Sequence, residues 1–580
     1  MTDFFVTYQP LLSQILISSL LALSMFIWLR SGMISFATAG IMAVGSYVSA
    51  ITSTTYQFPF WLSAVLAILA AMALALILGR VLLKLQHIHF ALATLAFSEL
   101  IRLLTLNWDS VTLGALGISG IPPVTKLWQL ILSVVIASYV MARLSGKSKY
   151  GRALALMRED QLLAKTMGIY TNWYTVLIFV IGSVPTALAG VYQAHFNMYI
   201  SPDQYGFPLM LSVLMMTIVG GRSRWIGPIL GAFLISILPE VLRISKHYIL
   251  LLNWLILLAV MIFLPQGLVS VKFHIRKSSG SSKTAAIDPE AETEINSNKL
   301  VKRILPAFSR HLGNKGKHLL VLEGINLKFG GIEVLNNVTC SVQEGEVLGI
   351  IGPNGAGKTS LLNVISGVVS PSAGQLFWEG RDVTRLRPDQ LAQIGMSRTY
   401  QNIRLIKDMT VFDNVLIGAH QSLGYGLIGT LLKNRPYKEA ELKAESETTS
   451  MLQWLGLEGL AKTPAGSLAY GLQRRVEVAR ALMSHPRLLL LDEPTSGMNE
   501  TESREFGELV THLRDAGMTI VLVEHHVPMV TKVCDNVLVI NFGKTIAYGP
   551  PARIQSNPEV IEAYLGADYT AKEVASSARS

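Results

Sequence analysis

The residues best suited to chemistry form a glycine-rich turn that ends in a lysine and two hydroxyl side chains. The turn lies between an apolar strand at 346–351 and an apolar helical stretch at 361–365, and its residues are Gly352, Pro353, Asn354, Gly355, Ala356, Gly357, Lys358, Thr359 and Ser360. Glycines let backbone N–H groups curl around phosphates, and a helix N-terminus adds the positive end of its dipole. We therefore expect Lys358 to reach the β- and γ-phosphates of a nucleotide and the Thr359 hydroxyl to bind Mg²⁺. A chance glycine-rich turn would not need the flanking strand and helix.

Two adjacent carboxylates follow a second apolar strand. Leucine fills positions 488–491, and Asp492 and Glu493 come directly after them. In phosphoryl-transfer sites one such acid holds Mg²⁺ through water and the other polarises the attacking water. The sequence therefore predicts Asp492 as a metal-binding residue and Glu493 as a catalytic one. Two acids that merely cap a strand at the surface are the alternative, which the phosphate-binding turn in the same chain disfavours.

These two motifs belong to a longer series that resembles the ATPases of ABC transporters. In chain order the series comprises the turn at 352–360, Gln401, the stretch 467–475, the pair Asp492-Glu493, and His525. The resemblance implies that Gln401 senses Mg²⁺ and the permease, and that His525 is a catalytic residue contacting γ-phosphate. It also implies a signature loop at 468–472, which completes the nucleotide site of an opposing ATPase. A D-loop is implied at 496–499, and Phe329 is expected to stack on adenine.

Two of these assignments compete with ordinary structural roles. A single phenylalanine such as Phe329 is usually a core residue rather than a platform for adenine. His525 is followed by His526, so either imidazole is a candidate for the γ-phosphate contact. The family has a Glu-His pair directly after the strand, which favours His525.

The signature loop departs from the sequence that ABC ATPases usually have. The usual Leu-Ser-Gly-Gly-Gln is replaced by Leu468, Ala469, Tyr470, Gly471 and Leu472. Ala469 stands where a serine would bind γ-phosphate, so a loop with fewer donors should hold the partner's ATP less well. Gly471 preserves the close approach of the backbone. We therefore expect Ala469 and Gly471 to lie against nucleotide, and normal turnover at that site stays an open question.

The composition indicates that these motifs share a chain with membrane segments. Of 580 residues, 51% are hydrophobic and 15% are charged, and the mean hydropathy is +0.42. Soluble domains contain about 25% charged residues, so part of this chain must lie in lipid. The net charge of +10 would suit nucleic-acid binding, but Lys and Arg beside membrane spans explain it better. We expect no nucleic-acid partner. The two cysteines argue against a disulfide framework and suit a reducing cytosol.

Long apolar runs dominate residues 1–271. The clearest lie at 11–29, 61–83, 128–142, 174–194, 226–242 and 249–264, with weaker ones at 33–51, 89–104 and 209–219. A helix needs about 20 apolar residues to cross a bilayer, so we predict about eight to ten membrane segments. Basic clusters at 147–165 and 272–277 mark the cytosolic side. The first run has no basic stretch before it and no cleavage site after it, which favours a retained span over a signal peptide.

The composition changes after residue 275. A polar stretch rich in Ser, Gly and Glu cannot bury enough apolar surface to fold alone, which predicts a flexible linker at 276–317. From residue 318 short apolar runs alternate with helical stretches, a pattern typical of an α/β domain with a largely parallel sheet. We therefore predict an α-helical polytopic membrane domain at 1–275, an α/β P-loop ABC ATPase domain at 318–570 and a disordered tail at 571–580.

A narrower resemblance covers both halves of the chain. Three stretches of the soluble half are similar to LivG-type ATPases, namely 397–405, 468–471 and 557–566. Three stretches of the apolar half are similar to LivM-type permeases, namely 31–37, 151–169 and 218–228. The resemblance implies a permease and ATP-binding subunit of a branched-chain amino acid importer in the bacterial inner membrane, using ATP and Mg²⁺. It also implies a LivH-like second permease, a LivF-like second ATPase and an extracytoplasmic substrate-binding protein.

Four alternatives stay open at this level. The charged loop at 151–169 either docks on an ATPase or only sets the topology of the spans. Gly and Pro in the spans either permit close helix packing or line a path, and packing is favoured. Substrates in this family include urea, amides and aromatic acids besides branched-chain amino acids. The rival functions are an ABC exporter and an ATPase with a merely anchoring membrane part. Glycine-rich breaks in the spans and the charged loop argue against the anchor.

Overall fold

The computed structural model describes residues 2–82, 85, 87–241 and 316–565, together with positions 255, 258, 259, 262, 267 and 268. The contacts divide the chain into two compact units. The first comprises Met1–Glu159, Thr171–Lys283 and Thr430–Leu432, and the second comprises Asp160–Tyr170, Thr284–Gly429 and Lys433–Ser580. The predicted tail at 571–580, and most of the predicted span at 249–264 and linker at 276–317, lie outside the described residues.

The first unit consists of helices, most of which lie at the positions of predicted membrane segments. They are α1 (Thr2–Arg30), α2 (Thr38–Thr54), α3 (Phe60–Leu82), α4 (His87–Asn107), α5 (Asp109–Thr112), α6 (Leu127–Ser145), α7 (Lys149–Glu159), α9 (Thr171–Asn197), α10 (Phe207–Gly220) and α11 (Ile226–Val241), whereas α8 (Gln161–Thr166) belongs to the second unit. A short antiparallel ladder pairs β1 (Ile118–Ser119) with β2 (Tyr199–Ile200).

The helices of this unit fall into two length classes. Within the described ranges, five helices have the length and apolar composition to cross a membrane, namely α1, α3, α4, α6 and α9. Helices α10 and α11 are apolar but shorter, and α2 has 17 residues. The prediction of a helical, multi-pass N-terminal half is confirmed.

A break lies between α1 and α2, where residues 31–37 are not helical. Lipid offers no hydrogen-bond partners, so backbone groups freed by a break must be satisfied by the protein. The Phe36 N–H donates to Thr94 Oγ1 (3.0 Å), and the Ser98 hydroxyl donates to the Phe36 carbonyl (2.8 Å). Ser98 Oγ also accepts from the N–H of Gly40 at the start of α2 (3.0 Å). Two hydroxyl side chains of α4 therefore replace helical bonds that the break removes.

Glycines allow close contact between α2 and α9 in the first unit. A methyl group added to Gly45 would lie 2.6 Å from the Ala187 carbonyl oxygen, and one added to Gly190 would overlap the Met42 carbonyl oxygen. The two backbones therefore approach each other at reciprocal glycine positions. Such small-residue packing is a common device between membrane helices. At these positions the structure supports packing rather than a path.

The second unit contains two sheets and their connecting helices. Its helices after α8 are α12 (Lys358–Ile365), α13 (Pro388–Gln393), α14 (Val411–Ile417), α15 (Leu427–Leu432, shared with the first unit), α16 (Arg435–Trp454), α17 (Tyr470–Leu482), α18 (Glu500–Asp515), α19 (Val527–Val533), α20 (Pro551–Gln555) and α21 (Pro558–Leu565). Its strands are β3 (His318–Phe329), β4 (Ile332–Gln343), β5 (Val347–Ile351), β6 (Ala373–Trp378), β7 (Arg381–Asp382), β8 (Met396–Arg398), β9 (Leu488–Asp492), β10 (Thr519–Val523), β11 (Asn536–Asn541) and β12 (Lys544–Gly549).

Sheet order decides which loops meet. The larger sheet has the order β12-β11-β5-β10-β9-β8, and its strands run parallel except for the edge strand β12. The smaller sheet, β4-β3-β6-β7, is antiparallel. Val523 at the end of β10 pairs with Ile350 of β5 on one side and with Asp492 of β9 on the other. Because three neighbouring parallel strands end at one edge, the residues that follow them lie together.

The α2–α9 contact yields a stability prediction. We expect Gly190→Ala to destabilise the full-length protein by about 1–3 kcal/mol, because its methyl group must displace the α2 backbone. Gly79→Ala is the matched control, since a methyl group there meets no atom nearer than 3.6 Å and alanine favours the helix by about 1 kcal/mol. The melting temperature of each variant is measured in detergent, with size-exclusion chromatography used to monitor the folded fraction after heating. Equal melting temperatures for Gly190→Ala and Gly79→Ala would contradict the packing role.

Candidate nucleotide site

The glycine-rich turn lies between β5 and α12, and its backbone requires glycine. Gly352 has φ +154° and Gly357 has φ +103°, and a side chain on Gly352 would overlap the Ile540 carbonyl oxygen. Lys358 Nζ donates to the carbonyls of Gly352 (2.8 Å) and Pro353 (3.1 Å), so its ammonium folds back over the turn. Burial lowers the pKa of Lys358, while the carboxylates after β9 oppose that shift. The turn therefore presents a partly desolvated cation beside a row of backbone amides.

Asp492 at the end of β9 is buried and paired on one oxygen only. Arg398 Nη2 lies 3.0 Å from Asp492 Oδ2, and both side chains are 2% exposed. Arg398 Nη1 also donates to Asn363 Oδ1 (2.7 Å) and Ser366 Oγ (2.8 Å) at the end of α12. Burial raises the pKa of Asp492, and Arg398 acts in the opposite direction. One arginine thus fixes the aspartate against the helix that follows the phosphate turn.

The other oxygen of Asp492 fits a magnesium ion. Asp492 Oδ1 is buried without a hydrogen-bond partner. Among the described residues, no three His, Cys, Asp or Glu side chains cluster as a metal site. Mg²⁺ is commonly held by one or two carboxylates plus substrate phosphates rather than by an all-protein cage. A single free carboxylate oxygen beside a phosphate-binding turn is consistent with that arrangement, and the exposed Thr359 hydroxyl lies on the same turn.

Glu493 stands in a strained backbone conformation beside two other predicted site residues. Its φ is +44°, a region that costs a non-glycine residue free energy and often marks functional sites. Gln401 Nε2 donates to Glu493 Oε2 (2.7 Å), and His525 Nδ1 lies 4.0 Å from the same oxygen. His526 is instead the N-cap residue of α19. The structure thus brings Gln401, Glu493 and His525 together at the edge of the sheet.

The segment 400–404, which contains Gln401, is held by buried charges of α17. Arg474 donates to the carbonyls of Tyr400 (2.6 Å) and Gln401 (2.8 Å), and also to Glu477 Oε2 (2.7 Å). Arg480 Nη1 donates to the Arg404 carbonyl (2.7 Å). Arg474, Glu477 and Arg480 are each at most 1% exposed. The backbone position of Gln401 therefore depends on an ionic cluster that is closed to solvent.

Residues 160–170, within the second unit, contact the same segment from its other side. Asp160 forms an ion pair with Arg404 and caps α8 by accepting from the Leu163 N–H (2.9 Å). The Thr166 and Tyr400 hydroxyls lie 3.2 Å apart. Arg404 also stacks on the Tyr400 ring, with its Cζ 4.3 Å from the centroid. This charged loop is therefore packed against protein rather than solvated. One of the residues that it contacts, Tyr400, directly precedes Gln401.

Three further predicted site residues, Phe329, Ala469 and Gly471, form no described side-chain hydrogen bond with this group. Ala469 is the exposed N-cap residue of α17, and a side chain on Gly471 would lie 2.7 Å from Glu502 Oε1. The hydrogen bonds described for Gln401, Glu493, Asp492 and His525 include none to Ala469 or Gly471. Phe329 ends β3 with 52% of its surface exposed, which excludes the core alternative for this ring. An exposed ring leaves room for a stacked base.

Three residues that position the site are absent from the sequence prediction. Arg398 and Arg474 are described above, and the third is Glu524, which is fully buried. Glu524 Oε1 accepts from the N–H (2.9 Å) and hydroxyl (2.7 Å) of Thr495, two residues after Glu493. In two of the three cases the sequence contains a signal that could have found the residue, namely a charged side chain at the end of a strand. Arg398 ends β8 and Glu524 follows β10.

Family comparisons match separate parts of the chain. A family described as "Branched-chain amino acid transport system / permease component" matches residues 8–265. The ABC transporter family matches residues 335–496. A family described as "Branched-chain amino acid ATP-binding cassette transporter" matches residues 544–570. Most of the helical unit falls within the first match, and the glycine-rich turn, Gln401, Asp492 and Glu493 fall within the second, whereas Phe329 and His525 lie outside the three matched ranges.

Individual relatives resemble the second half. LivG of Salmonella typhimurium, a high-affinity branched-chain amino acid transport ATP-binding protein, is 40% identical over 249 residues, covering 43% of this chain and 98% of LivG. BraF of Pseudomonas aeruginosa, which carries the same description, is 38% identical with the same coverage. A crystal structure of a nucleotide-free ATP-binding cassette is 33% identical and covers 43% of this chain and 98% of its own, with a TM-score of 0.38.

The Arg398–Asp492 pair yields a prediction about stability. We expect Arg398→Ala to cost about 3–5 kcal/mol, because it leaves a buried carboxylate without its partner. Arg435→Ala is the control: it removes an ion pair with Glu439 whose side chains are 89% and 62% exposed, which should cost less than about 1 kcal/mol. Urea unfolding of the full chain, followed by tryptophan fluorescence, compares them. Similar midpoints for both variants would show that Arg398 does not hold Asp492.

Proposed function

Because the chain belongs to the branched-chain amino acid ABC transporter family, as a permease fused to an ATP-binding protein, we propose that it imports branched-chain or related amino acids across the bacterial inner membrane. The chain is a multi-pass membrane protein with a nucleotide-binding ATPase that couples hydrolysis to transport. One observation carries the proposal. The phosphate turn, the Asp492-Glu493 pair and His525 follow three neighbouring strands in a chain that also contains membrane-spanning helices.

The proposed roles of the site residues follow from their positions. The backbone amides of 352–360 and the Lys358 ammonium bind the nucleotide phosphates. Glu493 orients and deprotonates the attacking water, and His525 contacts the γ-phosphate. Mg²⁺, held by Asp492, Thr359 and Gln401, neutralises charge on the phosphates when it is bound.

The Gln401–Glu493 hydrogen bond has a consequence for this chemistry. The amide of Gln401 engages Glu493 Oε2, which is an oxygen that a water molecule would otherwise use. A carboxylate oxygen that accepts a hydrogen bond from an amide N–H is less available to accept one from the attacking water. Withdrawal of Gln401 is therefore part of the proposed activation, and Arg474 limits how far the backbone of Gln401 can move.

A second copy of each component is part of the proposal. At the start of α17, Ala469 is exposed and Gly471 is buried, and neither forms a described hydrogen bond with the residues of the phosphate turn. We assign them to the nucleotide of an opposing ATPase. We propose a LivF-like ATPase, a LivH-like permease and an extracytoplasmic substrate-binding protein as the partners.

The domain boundaries also stand as proposals. The permease match ends at 265 and the ATPase matches lie between 335 and 570. These limits support a membrane domain at 1–275 and an ATPase domain at 318–570, joined by a linker at 276–317. The tail at 571–580 follows the last match.

Coupling is proposed to pass through residues 160–170. The loop leaves α7 of the helical unit, and its contacts with Tyr400 and Arg404 lie beside Gln401. A displacement of this loop therefore acts on the segment that carries the glutamine bound to Glu493. The alternative role, a solvated loop that only sets topology, does not account for these contacts.

A directional transport assay tests the function. The chain and its partners are reconstituted in liposomes with ATP supplied on the ATPase side, and binding protein with radiolabelled leucine on the other. We expect leucine to accumulate on the ATPase side only when the binding protein is present. Glu493→Gln should lower the rate about 100-fold or more, since a general base contributes at least that factor. Movement away from the ATPase side would indicate an exporter instead.

A charge exchange tests the coupling contact. We expect Arg404→Asp to reduce leucine transported per ATP hydrolysed several-fold, because it repels Asp160 while leaving Lys358, Asp492 and Glu493 unchanged. The double variant Asp160→Arg, Arg404→Asp should recover most of the ratio if the two side chains act as a pair. Hydrolysis and uptake are measured on the same liposomes. Failure of the double variant to recover would contradict a direct coupling role.

A further inference from the structure

Helix α15, residues 427–432, exposes two large aliphatic side chains. Ile428 is 71% exposed and Leu432 is 70% exposed. They are four residues apart and so lie on one face of the helix. The remaining positions of α15 are also apolar, except Thr430, which is buried. An exposed aliphatic face on a domain whose other apolar side chains are largely buried is a candidate for contact with a membrane or an apolar protein surface.

The backbone of α15 is attached to the end of a membrane span. Residues Thr430–Leu432 cluster with the first unit. Within that unit the Tyr139 hydroxyl donates to the Leu431 carbonyl (2.6 Å), and Arg143 Nη2 donates to the same oxygen (3.2 Å). Tyr139 and Arg143 lie in the last two turns of α6, which is a candidate span. This end of α6 is therefore where α15 is held.

The side chains at this end of α6 indicate the level of the lipid headgroups. Tyrosine is enriched where a span meets the membrane surface, and arginine flanks spans on the cytosolic side. Tyr139 and Arg143 also contact each other, with Arg143 Cζ 5.4 Å from the ring centroid. Further along α6, Ile131, Val135 and Ile136 are between 47% and 58% exposed, as expected of a surface that faces acyl chains. Leu432 of α15 belongs to the same unit as this exposed surface of α6.

The residues after α15 carry positive charge. Lys433 follows it directly and Arg435 comes two residues later; both are exposed, and Arg435 also pairs with Glu439. Basic side chains beside an apolar helical face are the usual composition of a segment that lies in a membrane interface with anionic lipids. A protein partner would not require this combination, whereas a charged headgroup layer over an acyl region does.

We propose that residues 427–432 are an interfacial membrane anchor, in which Ile428 and Leu432 insert between lipid headgroups beside the end of α6. The occupant is the lipid of the leaflet on the ATPase side. Lys433 and Arg435 lie over its phosphates. The anchor would attach this part of the ATPase to the membrane independently of residues 160–170. Movements of the ATPase driven by nucleotide would then act against the bilayer as well as against the permease.

Depth-dependent fluorescence quenching tests this anchor on the full chain. A bimane label is attached to Ile428→Cys, and Ile332→Cys is the matched control because Ile332, on β4, has the same 71% exposure. The native cysteines do not interfere, because burial raises the pKa of both Cys340 and Cys534 to about 12. The labelled chains are placed in vesicles of phosphatidylglycerol and phosphatidylcholine that contain doxyl-labelled lipid.

We expect doxyl lipid to quench the label at 428 at least twofold more than the label at 332, and a shallow doxyl position to quench more than a deep one. Equal quenching at the two positions would overturn the anchor. The measurement is repeated after assembly with a partner permease. Loss of quenching at 428 on assembly would also overturn it, because the aliphatic face would then belong to a protein interface. Retained ATP hydrolysis in both labelled chains confirms that they are folded.

Discussion

A charge taken out of water must be paired, and this requirement fixes the floor of the nucleotide site. Moving an isolated carboxylate into a protein interior costs several kcal/mol, so its partner and the surrounding hydrogen bonds must be placed accurately. Here Asp492 has Arg398, and Glu477 has Arg474 and Arg480. The Arg398–Asp492 pair joins β8 to β9. Hydrogen bonds from the same paired arginines join Arg398 to the end of α12, and Arg474 and Arg480 of α17 to the segment 400–404. The elements that carry the phosphate turn, the catalytic acid and Gln401 are held in register by ion pairs rather than by apolar packing alone.

Arg398 and Arg404 connect a contact of Asp160 with the buried carboxylate of Asp492. Tyr400 lies between Arg398 and Arg404, whose Cζ atoms are 4.9 Å and 4.3 Å from its ring centroid. Arg404 meets Asp160 at one end, and Arg398 meets Asp492 at the other. Contiguity alone does not make a coupling route, which also needs an element with two arrangements. The exposed Gln401 amide, which is proposed to withdraw from the strained Glu493, is that element.

How much the sequence could predict depends on how far apart along the chain the interacting residues are. The phosphate turn is local: strand, glycines and helix are contiguous, so composition and order suffice. Membrane helices are likewise predictable from run length, although the break at 31–37 shortens α2. Arg398 was not predictable as the partner of Asp492, because the two are joined only through the adjacency of β8 and β9. Arg474 depends in the same way on how α17 packs against 400–404.

The aliphatic face of α15 shows a different limit of sequence reasoning. Six residues are too few to suggest a membrane span, and within a soluble domain such a run is ordinarily assigned to the core. Only the exposure of Ile428 and Leu432 in the folded structure separates the two cases. Hydropathy gives the amount of apolar surface, whereas tertiary structure decides whether that surface is buried by protein.

The two halves of the chain satisfy buried polar groups with different chemistry, and the difference follows from their surroundings. At the break between α1 and α2, uncharged hydroxyls of Thr94 and Ser98 serve the freed backbone. Full charges there would carry a large penalty in hydrocarbon. The ATPase half uses arginine and carboxylate instead, because its site must accept a polyphosphate. A carboxylate beside the phosphate turn would repel that substrate unless its charge were partly offset. Arg398 supplies that offset on Oδ2 of Asp492 and leaves Oδ1 available for a cation, so one ion pair both stabilises the fold and prepares the site for its substrate.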